Sequence, residues 1–311
     1  YWGPQTKCWI DAPQTLEFTT EEVVQGQNVL SKLGLSDDDN FVCFGVREQN
    51  YYDLISRKSR GKEFYWMGDI EDFGEIFRDE ELGSVPSTNE IKAMGSRAES
   101  LKTPLENYIR MAEELADKGL FVLRMGLAVD NPLPSNINDK IIDYSRKFRR
   151  EFSDVYLSAK CKFAVAGGTG TQWISSAFGG PVVNTALYLP NDAYLNNSPG
   201  GMPNLSMPRK DWYKEESRFL TYSEVFKVFR RYQYDENCIA DGIENRSNTA
   251  EEIAAVVMEM NSRIDGKWQE TKEDAELQER YRHLHTRKDD AFGSNGLIGT
   301  QFLRDNADLI R

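Results

Sequence analysis

The chain has 311 residues, 40% of them hydrophobic and 12% aromatic, and carries a formal net charge of −12. Such a composition belongs to a folded globular protein, long enough for one large core or for one α/β domain with a satellite. The surplus of carboxylates excludes a protein built to coat nucleic acid, whose phosphates demand a net basic face, but it leaves room for one local basic pocket.

Residues 1–40 read as a linker or the remnant of a preceding domain. The chain opens on Tyr1-Trp2-Gly3 rather than methionine, so further sequence ahead of it is expected. Thr19-Thr20-Glu21-Glu22 precedes a helical pattern through Leu30 and Leu33, with Thr19 or Thr20 as the N-cap. Phe41 to Val46 is nearly continuous in apolar residues, as a strand buried on both faces must be. Residues 54–100 turn charged and glycine-rich, which reads as an insertion or long loop.

A helix is predicted over 101–120, with Thr103 as N-cap, Pro104 at the first helical position and Lys118-Gly119 as its stop. Strands follow at 121–126, 141–144, 163–166 and 181–184, separated by helices at 154–160 and 171–178. Strands alternating with helices at this pitch predict a parallel sheet with right-handed crossovers. Residues 187–222 read as a Pro/Asn/Gly-rich loop, and helices follow at 223–231, 249–264, 272–287 and 299–304. The expected organisation is thus an α/β domain over 41–245 and a helical C-terminal segment over 246–311.

Four cysteines lie far apart without a CxxC pair, and Cys43 and Cys161 sit in or beside apolar runs. Free thiols and a cytoplasmic location are expected. The two histidines, His283 and His285, fall late in a charged segment and read as surface residues. Neither a zinc site nor a Ser-His-Asp triad is suggested. No apolar stretch approaches the ~20 residues that span a bilayer, and no secretory leader is recognisable.

The strongest local signal is the strand at 163–166 running into Gly167-Gly168-Thr169-Gly170-Thr171 and then a helix. Loops at the carboxyl ends of parallel strands present unpaired N–H groups, and glycines let an anion approach the backbone. The same glycines also suit a plain tight turn. The pattern is neither a Walker loop, since no Lys-Ser/Thr follows, nor GxGxxG. Arg47, leaving the strand at 41–46, and Arg124, near the end of the strand at 121–126, fall on the same sheet edge. Each either grips a diphosphate or pairs with a carboxylate, Glu48, Asp143 or Asp154. Arg97 is a weaker candidate of the same kind. Glu48, Asp53 and Asp143 are the carboxylates nearest that edge, suited to act as a general base, to hold a ribose or to orient an arginine. Tyr51 and Tyr52 suit stacking or ordinary packing equally.

The run from Gly168 to Val183 resembles the donor-site motif of heptosyltransferase-like GT-B glycosyltransferases, with Gly168 in place of the motif's Asp and Trp173 in place of its His. A fuller likeness, from about residue 12 to the end, is to a bacterial glycosyltransferase family of surface-carbohydrate loci. It is carried by Phe41 to Tyr52, Leu105-Glu106-Asn107-Tyr108-Ile109, Val122 to Gly126, Ile142-Asp143-Tyr144, Asp154 to Phe163, Arg218-Phe219-Leu220-Thr221 and Phe302-Leu303-Arg304.

The resemblance implies a Rossmann-like parallel sheet, the donor-binding half of a GT-B enzyme of the heptosyltransferase or O-fucosyltransferase kind. It implies metal-independent transfer of a sugar from a nucleotide-sugar to a glycan acceptor, with no cofactor besides the donor. Arg47 takes the place of the arginine that binds donor diphosphate in related fucosyltransferase-like folds. Glu48 stands where an Asp is usual and Gly45 where a His is usual.

The expected site is therefore Arg47 and Glu48 for catalysis, and Arg47, Arg124, Gly168, Thr169, Gly170 and Thr171 for donor phosphate. Arg97, Asp143 and Tyr144 are expected to hold the nucleoside or sugar. No metal and no nucleic acid are expected, and any membrane association would be peripheral, through sequence preceding this chain. A non-catalytic sugar-nucleotide-binding module and a GT-B-like epimerase are the alternatives.

Overall fold

A computed structural model of the chain describes residues 16–47, 104–127, 129, 131–187, 202–231, 242–285 and 296–311. Helix α1 (Thr20–Lys32) starts where the sequence places its cap: the Thr19 hydroxyl accepts from the Glu22 N–H, and the Glu22 carboxylate accepts from the Thr19 N–H. Strand β1 (Phe41–Val46) follows and is buried at all six positions. Next come α2 (Glu106–Asp117), β2 (Phe121–Met125), β3 (Ile141–Ile142), α3 (Tyr144–Lys147), α4 (Glu151–Lys160), β4 (Ala164–Gly167), α5 (Thr171–Ala177) and β5 (Val182–Leu187).

Strand β6 (Leu205–Pro208) completes the alternating part. The rest comprises β7 (Lys210–Tyr213), β8 (Arg218–Phe219), α6 (Tyr222–Arg231), β9 (Ile243–Arg246), α7 (Ala250–Ile264), α8 (Lys272–Leu284), β10 (Leu297–Ile298) and α9 (Thr300–Asp305).

Seven strands form one sheet in the order β10-β6-β5-β4-β1-β2-β3, and every described pairing in it is parallel. Read from the β3 edge this is 3-2-1-4-5-6, the doubly wound Rossmann-like order, with one strand added at the far edge. A small antiparallel sheet, β8-β7-β9, follows β6.

Alternate residues of β1 serve two cores. Val42, Phe44 and Val46 face Tyr108, Met111 and Leu115 of α2, with α7 to α9 packed on the same core. Phe41 and Cys43 face Leu30 of α1 and Tyr156 and Leu157 of α4. Gly26 lets α1 meet α4 closely, since a Cβ there would overlap the Tyr156 ring. Cys43 and Cys161 are buried free thiols in this second layer. The chain's last described segment is pinned by buried polar groups: the Glu259 carboxylate accepts from the Thr300 N–H and hydroxyl at 2.7 and 2.8 Å. The Gln278 amide bonds both N and O of Ile298, covering the outer edge of β10.

Four expectations differ from the structure. Of residues 141–144, read as a strand, only Ile141–Ile142 pair with β2, and Tyr144 begins α3. Residues 205–219, read as loop, hold β6, β7 and β8; these strands are short and owe their form to pairing partners rather than to local propensity. Pro104 lies outside α2, whose N-cap is Leu105, with no side-chain cap; Thr103 lies outside the described residues. His285 is buried rather than on the surface, packed edge-on against Phe226 at 5.8 Å, whereas His283 is exposed. Its ring fills space beside α6, which the charged local sequence conceals.

Candidate ligand site at the carboxyl edge of the sheet

The strand order reverses between β1 and β4, and in open parallel sheets the carboxyl ends of the strands at that reversal part to leave a crevice. Here β1 ends in Val46-Arg47, and β4 ends in Gly167 followed by Gly168-Thr169-Gly170. The register pairs Val46 with Gly167, and the Arg47 N–H donates to the Gly167 carbonyl at 3.1 Å. The Arg47 side chain then runs beside Gly168: a Cβ on that glycine would lie 3.9 Å from both Cβ and Nε of Arg47. Topology thus brings together two features that lie 120 positions apart in the sequence.

The glycines of this loop have different reasons to be glycine. At Gly167 a Cβ would overlap the Tyr108 hydroxyl and approach its Cζ to 2.8 Å. Tyr108 is fully buried. Its hydroxyl lies 2.6 Å from that of Thr185, which also lies 3.2 Å from the Ala166 carbonyl. With the Thr185 proton given to that carbonyl, Tyr108 is the donor to Thr185. Gly168 adopts φ +76°, where other L-residues are strained. Gly170 has φ −82° and ψ −10°, and nothing lies within 4 Å of where its Cβ would be. The fold itself therefore makes no steric demand for glycine there, and the loop surface is open. As N-cap of α5, Gly170 supplies no side chain to the helix's first N–H groups, unlike the threonines that begin α1, α7 and α8.

Asn184 of β5 sits beside Ala166 of β4, one register step before Thr185. It is 1% exposed, and among the described residues neither its amide nitrogen nor its oxygen has a hydrogen-bond partner. A buried amide in that state costs on the order of 1–3 kcal/mol, and costs of this kind are kept where a site needs the group.

The other expected residues have these surroundings. Arg124 is 1% exposed; it donates to the Asn131 carbonyl at 2.5 Å and pairs with Asp143 at 3.4 Å. Asp143 also accepts from the Ser145 hydroxyl at 2.8 Å. These two residues thus meet each other, the carboxylate-pairing alternative that the sequence left open for Arg124. Tyr144 is fully buried, and its hydroxyl donates to Asp154 at 2.8 Å; burial, with the neighbouring Asp154 charge, pushes the phenol well above its usual range. The structure places Tyr144 in the core shared with α4 rather than beside Arg47. Thr169 belongs to the loop, and Thr171 is the first residue of α5. Glu48, Tyr51, Tyr52, Asp53 and Arg97 lie outside the described residues.

One group at this edge escapes a sequence reading. Arg209 follows β6 as Arg47 follows β1, and its N–H donates to Leu187 at the end of β5. It is 1% exposed and donates to Asn245 at 3.3 Å. Asn245 in turn donates to Asp211 at 2.8 Å. Burial raises the Asp211 carboxyl to about 6, opposed by the Asn245 hydrogen bond and the Arg209 charge. The signal was a second strand-then-arginine pattern, Leu205-Ser206-Met207-Pro208-Arg209, hidden in a stretch rich in proline and asparagine.

No protein-family model, curated protein or solved structure matches the chain.

Proposed function

We propose that the chain binds the diphosphate of a nucleotide-sugar between Arg47 and the loop Gly168-Thr169-Gly170-Thr171, and that it is the donor-binding half of a metal-independent glycosyltransferase acting on a glycan acceptor. The observation that carries this reading is the convergence of Arg47 with the glycine loop at the sheet's reversal point. A guanidinium matches two phosphate oxygens at once, and an open glycine loop lets its N–H groups approach them. The same donors would stabilise a leaving diphosphate, whose charge grows as the glycosidic bond breaks. Helix α5 has only seven residues, so the arginine and loop amides carry more of this than the helix dipole does. The buried Asn184 amide of β5 lies one register step from the end of β4.

Titrating nucleoside diphosphates into the chain tests the reading. Arg47→Ala is expected to weaken binding about 10–100-fold, the value of a charge-assisted hydrogen-bonding pair. Unchanged affinity in that variant removes the diphosphate from this place. Tight nucleotide binding without release of nucleoside diphosphate from any donor and acceptor would leave a binding module instead. The pairing of Asp143 with Arg124 and Ser145 favours that second reading, because it engages a carboxylate otherwise suited to be the base.

A further inference from the structure

A groove of about 380 Å³ opens between α1 and the α3–α4 junction, on the layer opposite α2 and α7. Three cations line it, Lys32, Lys147 and Arg150, and no carboxylate does. This happens on a protein whose net charge is −12. The cations belong to a dense local run, Arg146-Lys147-Phe148-Arg149-Arg150. Arg149 is held by Asp154 at 2.7 Å. Lys32, Arg146, Lys147 and Arg150 are exposed and form no ion pair among the described residues.

Two features accompany this cluster. Arg150 is the N-cap of α4 and makes no side-chain cap, so a cation stands at the positive end of that helix, although Glu151 and Asp154 lie in its first turn. Such local conflicts collect where a surface has another use. Phe148, in the middle of the run, is 40% exposed. An aromatic ring flanked by cations matches a phospholipid surface: the cations meet phosphate head groups and the ring enters the boundary with the acyl chains.

We propose that this groove and Phe148 dock the protein on an anionic phospholipid bilayer. With a net charge of −12 the rest of the chain is acidic in balance, which favours docking through this patch. The inference does not depend on the glycine-loop site.

Co-sedimentation of the full chain with phosphatidylglycerol or phosphatidylcholine vesicles tests it. The chain is expected to bind phosphatidylglycerol vesicles, less so as salt rises, and to ignore phosphatidylcholine. Each cation near a charged bilayer is worth about a fivefold change in partitioning, so K147Q/R150Q is expected to lose about 25-fold. F148A should bind more weakly while keeping its salt dependence. The matched control K267Q/K272Q, which removes the same charge from exposed positions elsewhere, should bind as the parent does. Unchanged circular dichroism and urea midpoints establish that the variants are folded. Equal binding to both lipids, or equal losses in K147Q/R150Q and K267Q/K272Q, overturns the proposal. Thermal protection by soluble sn-glycerol 3-phosphate without vesicle binding overturns it as well, since the groove would then take a free phosphate.

Discussion

Replacing each of three loop glycines by alanine separates what the fold needs from what a ligand would need. At Gly167 the new methyl meets Tyr108, which is fully buried and bonded to Thr185, and Gly45 O at 3.3 Å closes the other side. Overpacking of this kind costs about 1–3 kcal/mol. Displacing the Tyr108 hydroxyl adds about 0.5–1.5 kcal/mol, so Gly167→Ala should destabilise by roughly 2–4 kcal/mol. Gly168→Ala meets only ordinary contacts with Arg47. Its left-handed backbone costs about 1–2 kcal/mol, partly offset by about 0.4–1 kcal/mol from a stiffer unfolded chain; the net loss is about 1 kcal/mol. At Gly170 the backbone is ordinary and the space empty. A slightly poorer N-cap and a stiffer unfolded chain nearly cancel there, leaving stability within about 0.5 kcal/mol of the parent. Urea unfolding with a common m-value measures all three, and nucleoside diphosphate titration runs alongside. Gly170→Ala should keep its stability yet bind nucleotide more weakly. A stability ranking other than 167, 168, 170 refutes the packing argument. Full nucleotide affinity in Gly170→Ala refutes the close approach of an anion to that loop.

Two buried carboxyls should show opposite pH signatures. Asp211 is raised from its ordinary 3.8 to about 6, so the stability it allows is complete below about pH 4 and is lost as pH rises through about 6. Asp211→Asn should therefore gain on the parent by up to about 3 kcal/mol between pH 4 and 7 in urea unfolding, and a falling difference would contradict the burial argument. Asp274 is lowered from 3.8 to about 2, chiefly by its paired hydrogen bonds with Arg304. Its contribution is present above pH 4 and is lost as pH falls through about 2. The full effect would be about 2.5 kcal/mol, but the Arg304 side chain is 38% exposed, and solvent screening reduces it to about 1 kcal/mol. Asp274→Asn should accordingly be less stable than the parent at pH 6 and nearly equal to it at pH 2.

The parallel sheet was legible because its central strands are apolar on both faces. Phe41–Val46 was read with its observed bounds, and β2, β4 and β5 within a few residues. The start of α1 was marked by Thr19-Thr20-Glu21-Glu22, and Thr19 is the residue that caps it. Strands β6 to β8 were not legible, because four residues such as Leu205–Pro208 acquire a strand's form only by lying against β5. Within the candidate site, Arg47 and the glycine loop could be named separately. Their adjacency follows from the strand order, and a single sequence carries no local mark of that. The same limit applied to Arg124: Glu48, Asp143 and Asp154 were all open as its partner, and only laying β3 beside β2 selects Asp143.

Strand β10 lies beside β6, pairing Leu297 with Leu205 and Ile298 with Ser206. During synthesis, about 90 residues must be added after β6 is complete before that partner exists, roughly 5–20 s at ~5–20 residues/s. Throughout that interval the β6 edge of a nascent sheet offers unpaired backbone groups to any neighbouring chain. Translation speed over 209–298, and the supply of chaperone to the growing chain, should therefore set how much of the protein reaches its native state.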